Sequence, residues 1–351
     1  MTDRARGAID GLLAAALFGA SAPLAKLLLP GAGPLLLAAL LYLGAGAALS
    51  FRRVFARRAT TRAGEAKLRT SDLPLLAGII VSGGVVGPIL MLTGLGRVTG
   101  IAGSLLLNLE APFTMLIALL LFKEHMTIRE AAAALLVVIG GASLGLRTGE
   151  LSVDAWGILS IAGACLAWGL DNNLTQRLSL RDPEAVARVK CLGAGSCTLL
   201  LALARGHSLP SGSILLPALA VGGLSYGLSI VLDVYALRYL GAAREAAFFA
   251  TAPFAGALLA VPLLGEVPVF RDGLAAVVMG LGVMLLLRAR HSHRHTHAEL
   301  EHDHLHVHDE HHRHAHEGEI HEPHAHPHRH DRLTHEHPHV SDAHHRHEHG
   351  G

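Results

Sequence analysis

Ten runs built mostly of Leu, Ala, Val and Gly, most close to 20 residues long, fill the first 290 positions of the sequence. They fall at 9–29, 34–51, 73–95, 99–122, 130–146, 155–176, 186–204, 214–237, 243–264 and 272–288, separated by short polar breaks that carry Gly, Pro or Arg. A helix needs about 20 apolar residues to cross a bilayer core. Inside that core no water serves the backbone, so each run must satisfy its own N–H and C=O groups as a helix. The alternating ten-residue strands of a membrane barrel are absent. The expectation is an all-α integral membrane protein whose first partner is the lipid bilayer. The first run is too long, and too closely followed by a second, for a cleaved secretory signal.

Composition agrees. Charged residues make up 16% of the 351-residue chain, against about 25% in soluble domains. No block is strongly basic, which excludes a nucleic-acid-binding face. Cys165, Cys191 and Cys197 lie in apolar runs with no CxxC pair, so they read as small buried hydrophobes. No nucleophile–base constellation, phosphate-cradling loop or closed Cys/His metal site is visible, so an enzyme is not expected.

Orientation follows from the distribution of Lys and Arg. With a cytoplasmic N-terminus, 17 of these residues fall on the cytoplasmic side, including seven between Arg52 and Arg69. Only Arg97, Arg147, Arg205 and Arg271 fall on the other. Ten spans then place both termini in the cytoplasm.

The chain also repeats itself. Ala111-Pro112-Phe113 in the fourth span is followed by Lys123-Glu124, Arg129 and Arg147; Ala252-Pro253-Phe254 in the ninth is followed by Gly265-Glu266, Arg271 and Arg288. The gaps match within one residue. Phe18-Gly19 in the first span has a weaker echo in Trp168-Gly169 of the sixth. Five spans per half is an odd number, so the second half enters the membrane from the opposite face, as in the inverted repeats of secondary transporters. The units are 9–146 and 155–288, followed by a tail, 291–351.

These features, with a proline in the fourth and ninth helices and a glutamate at their ends, resemble the drug/metabolite transporter superfamily of the EamA type. Lys123, where the second half has Gly265, departs from the usual pattern. The resemblance implies a ten-helix carrier of small metabolites, amino acids or cations, working by alternating access and often in efflux; a homodimer is compatible with it, and the Arg/Ala/Leu/Gly-heavy usage points to a bacterial inner membrane.

Ionisable groups at membrane depth cost about 2.5 to 3.5 kcal/mol on insertion scales and are functional candidates by default. Glu110, in the middle of the fourth span two residues before Pro112, is the first of them, read either as a contact for substrate or coupling proton or as a buried acid bonded to a neighbouring helix. Asn108 is close in sequence, but two helical steps turn it about 200° from Glu110. Asp171, Asn172 and Asn173 point in three directions, so at least one must meet another helix. Tyr226, Ser229 and Asp233 share a face of the eighth span, with Arg238 or Arg244 the expected partner of Asp233 and Arg244 that of Glu245. Lys26 is expected to snorkel to the interface, while Lys190 enters the seventh span without an assigned role. Glycines at 83, 84 and 87 in the third span, and at 222, 223 and 227 in the eighth, interrupt those helices.

From His291 the composition changes. The tail holds 24 of the 26 histidines, many at alternate positions, as in His302, His304, His306 and His308, continuing through His311, His312, His314 and His316. Neutral imidazole ligates Zn, Ni and Co. Apolar content is too low for a core, so the tail is expected to be disordered, with exchangeable metal sites; no cofactor is required elsewhere. Protonation near pH 6 would reverse its net negative charge. The leading expectation is a gradient-coupled carrier with Glu110 and Asp171 as its ionisable core. The alternatives are a divalent-metal transporter and a metal-responsive membrane sensor that uses the tail.

Overall fold

The computed structural model describes residues 3–59, 67–122, 126–145, 154–178, 181–288, 291–297, 300–306, 324–330 and 333–339. The first helix, α1, runs from Asp3 to Ala59. A straight helix of that length would extend about 85 Å, against a hydrocarbon core of about 30 Å. It therefore cannot be one span, and at Gly33 the backbone leaves the helix at φ 69, ψ 165. Pro34 disfavours the helical region at the residue before it, and glycine is the residue that tolerates the positive φ. The two legs, 3–32 and 34–59, are the first two apolar runs, joined by a sharp corner where a loop was expected.

The rest follow in order. Helices α2 (Leu73–Ile79) and α3 (Gly87–Leu95) form one rod through a π-helical stretch, Ile80–Val86. α4 (Gly100–Leu106) and α5 (Glu110–Phe122) are joined by a 3-10 turn, Leu107–Leu109. α6 (Ile128–Gly145), α7 (Asp154–Gln176) and α8 (Pro183–Ala204) precede α9 (Gly212–Val221) and α10 (Ser229–Leu240), which are linked by a second π-helical stretch, Gly222–Leu228. α11 (Ala242–Phe249), α12 (Ala252–Leu264) and α13 (Phe270–Arg288) complete the helical part. Seven described stretches are long and apolar enough to cross a membrane, the first of them containing both legs of α1. The molecule is an integral multi-pass membrane protein.

Its packing is that of a protein dissolved in lipid. The fully buried positions are largely small: Ala14, Ala25, Ala45, Ala164, Ala194, Ala218, Ala260 and Ala275 are wholly inaccessible. Large apolar side chains such as Leu120, Leu121, Leu200 and Leu258 stand exposed. Water would penalise that surface; lipid does not, and small residues let helices approach closely. Cys165 and Cys191 are buried as expected, whereas Cys197 is exposed.

The repeat is visible in three dimensions. A methyl at Gly19 would lie 2.3 Å from the Ala252 carbonyl oxygen, so the first leg of α1 crosses α12 there. Its counterpart Gly169 brings α7 to α5, where a methyl would lie 2.9 Å from the Thr114 N–H nitrogen. Each half thus lays its first span on the fourth span of the other half. The two π-helical stretches also occupy matching places in the repeat.

Beyond Arg288 the described backbone runs as two antiparallel strand pairs, His291–His297 with Leu333–His339 and Leu300–His306 with His324–His330. The sequence pointed instead to a tail without regular structure. Histidine at alternate positions is also a period-two pattern, the periodicity a strand uses. His302, His304 and His306 lie on the second strand; His308, His311, His312, His314 and His316 lie outside the described residues.

Candidate functional site

Pro112 has no N–H to return to the carbonyl four residues earlier. The chain answers with the 3-10 turn Leu107–Leu109 just before Glu110. That turn separates two side chains. Asn108 is buried, donating to the Leu105 carbonyl at 2.9 Å and lying 4.0 Å from Met279 Sδ of α13. Glu110 instead faces α7, where its Oε1 accepts from Asn172 Nδ2 at 2.7 Å.

The three consecutive polar residues of α7 take three tasks. Asn172 holds Glu110 and reaches Thr114 Oγ1 at 3.3 Å. Asn173 donates to the Thr114 carbonyl at 3.0 Å and to the Gly169 carbonyl at 2.8 Å, fastening α7 to α5 beside the Gly169 crossing. Asp171 is buried and forms an ion pair with Lys190 of α8. The Asp171 contact is thus interhelical and charged.

On the far side of Asp171 stands Gly83, in the first π-helical stretch. Its carbonyl accepts from Tyr42 Oη at 2.8 Å and from Trp168 Nε1 at 3.0 Å. A π-turn widens the helix by one residue and is frequently found at functional sites. Five rods therefore meet around one polar cluster: the second leg of α1, the α2–α3 rod, α5, α7 and α8. An aromatic wall adjoins it. Tyr226, in the second π-helical stretch, meets Phe18 edge-on with ring centroids 5.7 Å apart and Tyr42 at 5.8 Å, and Phe18 in turn meets Phe249 at 5.1 Å. Sequence reasoning missed Tyr42, Thr114, Trp168 and the Gly83 carbonyl. Lys190 carried a readable signal, since an ammonium inside an apolar run has to find a partner.

Asp233 lies apart from this cluster. Its carboxyl lies near that of Glu245 on α11, and each bears on the charge of the other. Asp233 Oδ1 is buried, with no hydrogen-bond partner among the described residues.

Both ends of the bundle are tied. At the Arg-rich end, Arg52 pairs with Glu184 of α8 and donates to Tyr235 Oη at 2.7 Å, and Arg181 clasps Asp72 with contacts of 2.9 and 3.2 Å. At the opposite end the Glu266 carboxylate accepts from the Gly100 and Ile101 N–H groups. Lys26 donates to the Leu95 and Val98 carbonyls at this end of the bundle; terminal helix carbonyls lack internal partners and draw such donors. Glu124, the counterpart of Glu266, lies outside the described residues. No group of three or more His, Cys, Asp or Glu is arranged for a metal ion among the described residues.

An uncharacterized transporter of Methanothermobacter thermautotrophicus (strain Delta H) is 32% identical over 291 residues, which is 79% of this chain and 84% of that protein. A crystal structure of another protein superposes with a TM-score of 0.57 at 21% identity, over 80% of this chain and 95% of that one; at that identity the likeness concerns the fold alone. The model of the EamA-like transporter family matches twice, at residues 5–145 and 155–288. With each half matched as a separate copy of one unit, the chain belongs to the EamA-like transporter family.

Proposed function

We propose that this protein is a secondary transporter that moves a small metabolite or cation across the bacterial inner membrane by alternating access between two inverted halves of five spans, in the direction of efflux. The observation that carries the reading is the contact of Glu110 with Asn172 at 2.7 Å. It joins a carboxyl group of the fourth span to the sixth span, next to the charged pair of Asp171 and Lys190, and so supports an ionisable site at membrane depth. Charge at that depth is expensive and is kept where it meets cargo or a coupling ion. The crossings at Gly19 and Gly169 are equivalent in the two halves and supply places about which they can rock. The excess of Lys and Arg on one side supports a cytoplasmic position for both termini.

The test is flux in reconstituted vesicles across a panel of amines, amino acids, nucleosides and divalent metals. Glu110→Gln is expected to insert normally and to lose at least about 90% of the flux, a barrier change of about 1.4 kcal/mol or more. Wild-type flux in that variant removes Glu110 from the mechanism.

A further inference from the structure

Lys190 is the charged residue in the central cluster that the reading above leaves without a task. It reaches Asp171 from α8, with 21% of its side chain exposed against 5% for Asp171. Asp171 has little other support: Thr175 Oγ1 stands at 3.5 Å, and Gly83 presses so close that a methyl there would lie 2.2 Å from Oδ2. Glu110, on the other side of α7, is held by an amide. Among the described residues no Lys or Arg hydrogen-bonds to it, although the Lys190 charge is felt there. The cluster therefore holds two carboxyl groups and one ammonium. With both acids ionised it lacks one positive charge, and an uncompensated charge away from water costs several kcal/mol.

We infer that Lys190 sets the charge of the cargo: it is a tethered cation that fills the Asp171 place, so that the site takes one positive charge, as a proton or a monoammonium ligand at Glu110, and excludes a second. This rests on the reading of the Glu110 cluster as the transport site. It makes Lys190 a specificity-determining residue. Removing its ammonium opens a second anionic place next to the first. Removing the Asp171 charge instead frees Lys190 to neutralise Glu110, and the site loses its appetite for cations. Removing both restores the original balance.

Trp168 lies in the cluster, bonded to Gly83, and its fluorescence reports occupancy once the other tryptophan, the exposed Trp156, is replaced by Phe. The full chain in nanodiscs is titrated at pH 7.5 with propylamine, singly charged, and 1,3-propanediamine, doubly charged. Wild type is expected to bind the monoamine at least about tenfold more tightly than the diamine, a difference of about 1.4 kcal/mol. Lys190→Met reverses the order, Asp171→Asn binds neither, and Asp171→Asn with Lys190→Met returns to the wild-type order. A Lys190→Met protein with the wild-type order overturns the inference. If that variant does not fold, Asp171→Asn decides: monoamine binding at wild-type affinity overturns it equally. Failure of wild type to bind either amine sinks the inference alone, provided Glu110→Gln still abolishes flux of another solute. Wild-type flux in Glu110→Gln sinks the underlying reading.

Discussion

Glu266 of the second half caps the helix that begins at Gly100 in the first: its two carboxylate oxygens accept the Gly100 N–H at 2.6 Å and the Ile101 N–H at 2.9 Å. These are among the N–H groups that a helix start leaves unpaired, and a carboxylate also complements the positive end of the helix dipole. The contact crosses between the repeats at the end of the bundle away from the Arg-rich loops. Any motion that parts the halves on that side has to break it.

Glu266→Ala should therefore cost about 1 kcal/mol, in the range for lost N-terminal caps. Glu266→Gln, which keeps an acceptor oxygen, should cost less. Thermal unfolding in detergent checks this, and a cysteine at Val98 gives a second measurement. Faster labelling of that cysteine from the side opposite the Arg-rich loops in Glu266→Ala, with an unchanged rate in Glu266→Gln, is the expected result. Equal rates in all three proteins would show that the contact does not hold that end closed.

Gly83→Ala tests the close packing between the π-helical stretch and Asp171. The added methyl meets the Asp171 carboxylate at 2.2 Å, so the acid has to move away from Lys190. Breaking a buried ion pair costs about 3 to 5 kcal/mol, and a sharp loss of folded yield and flux is expected. Gly273→Ala is the control. Gly273 is exposed on α13, and a methyl there meets nothing within 4 Å. Alanine is worth up to about 1 kcal/mol more than glycine inside a helix, so this variant should be neutral or slightly more stable. Equal effects of the two substitutions would remove the packing argument.

Trp168→Phe removes one of two donors to the Gly83 carbonyl and leaves Tyr42 in place. Interhelical hydrogen bonds in membranes are worth about 0.6 kcal/mol on average. The variant should remain folded with a small drop in unfolding temperature. Trp168→Phe together with Tyr42→Phe leaves the carbonyl without either donor and should cost more than the sum of the single changes. Strict additivity, measured as a double-mutant cycle, would show that the two side chains act independently.

How much of this was readable follows from what each feature depends on. The spans were legible because lipid imposes a length and a composition on every helix, and the repeat because Pro112 and Pro253 head the same series of charges. Glu110 and Asp171 stood out as charges in apolar runs. Their partners did not, because Glu110 and Asn172 are 62 residues apart and meet only through the rotation of two helices about their axes. The nearness of Asp233 and Glu245 was hidden for another reason: local charge matching points each acid to an arginine, whereas the turn from α10 into α11 brings the two acids near each other. Gly33 fell in the break expected between the first two runs, and its sharp corner beside Pro34 is a local signal that the loop expectation covered only in outline. The π-helical stretches left only their glycines as a trace.

Removal of residues 291–351 separates the membrane bundle from the His-rich tail. All the inter-rod bonds named above lie before Arg288, so the shortened chain should insert, keep its unfolding temperature and transport the same solutes. Imidazoles at alternate positions offer many overlapping ligand sets for Zn, Ni and Co, so the full chain should bind several equivalents of Zn by isothermal calorimetry and the shortened chain none with comparable affinity. Binding should weaken between pH 7 and pH 5, as the imidazoles, with an ordinary pKa of about 6.5, take up protons in place of metal. Cells with the shortened chain then distinguish a metal role from a metabolite role. Altered tolerance to Zn, Ni or Co would tie the tail to metal handling. Unchanged tolerance and unchanged metal content across all three would remove the metal-transport and metal-sensing readings and leave the carrier of the Glu110 cluster.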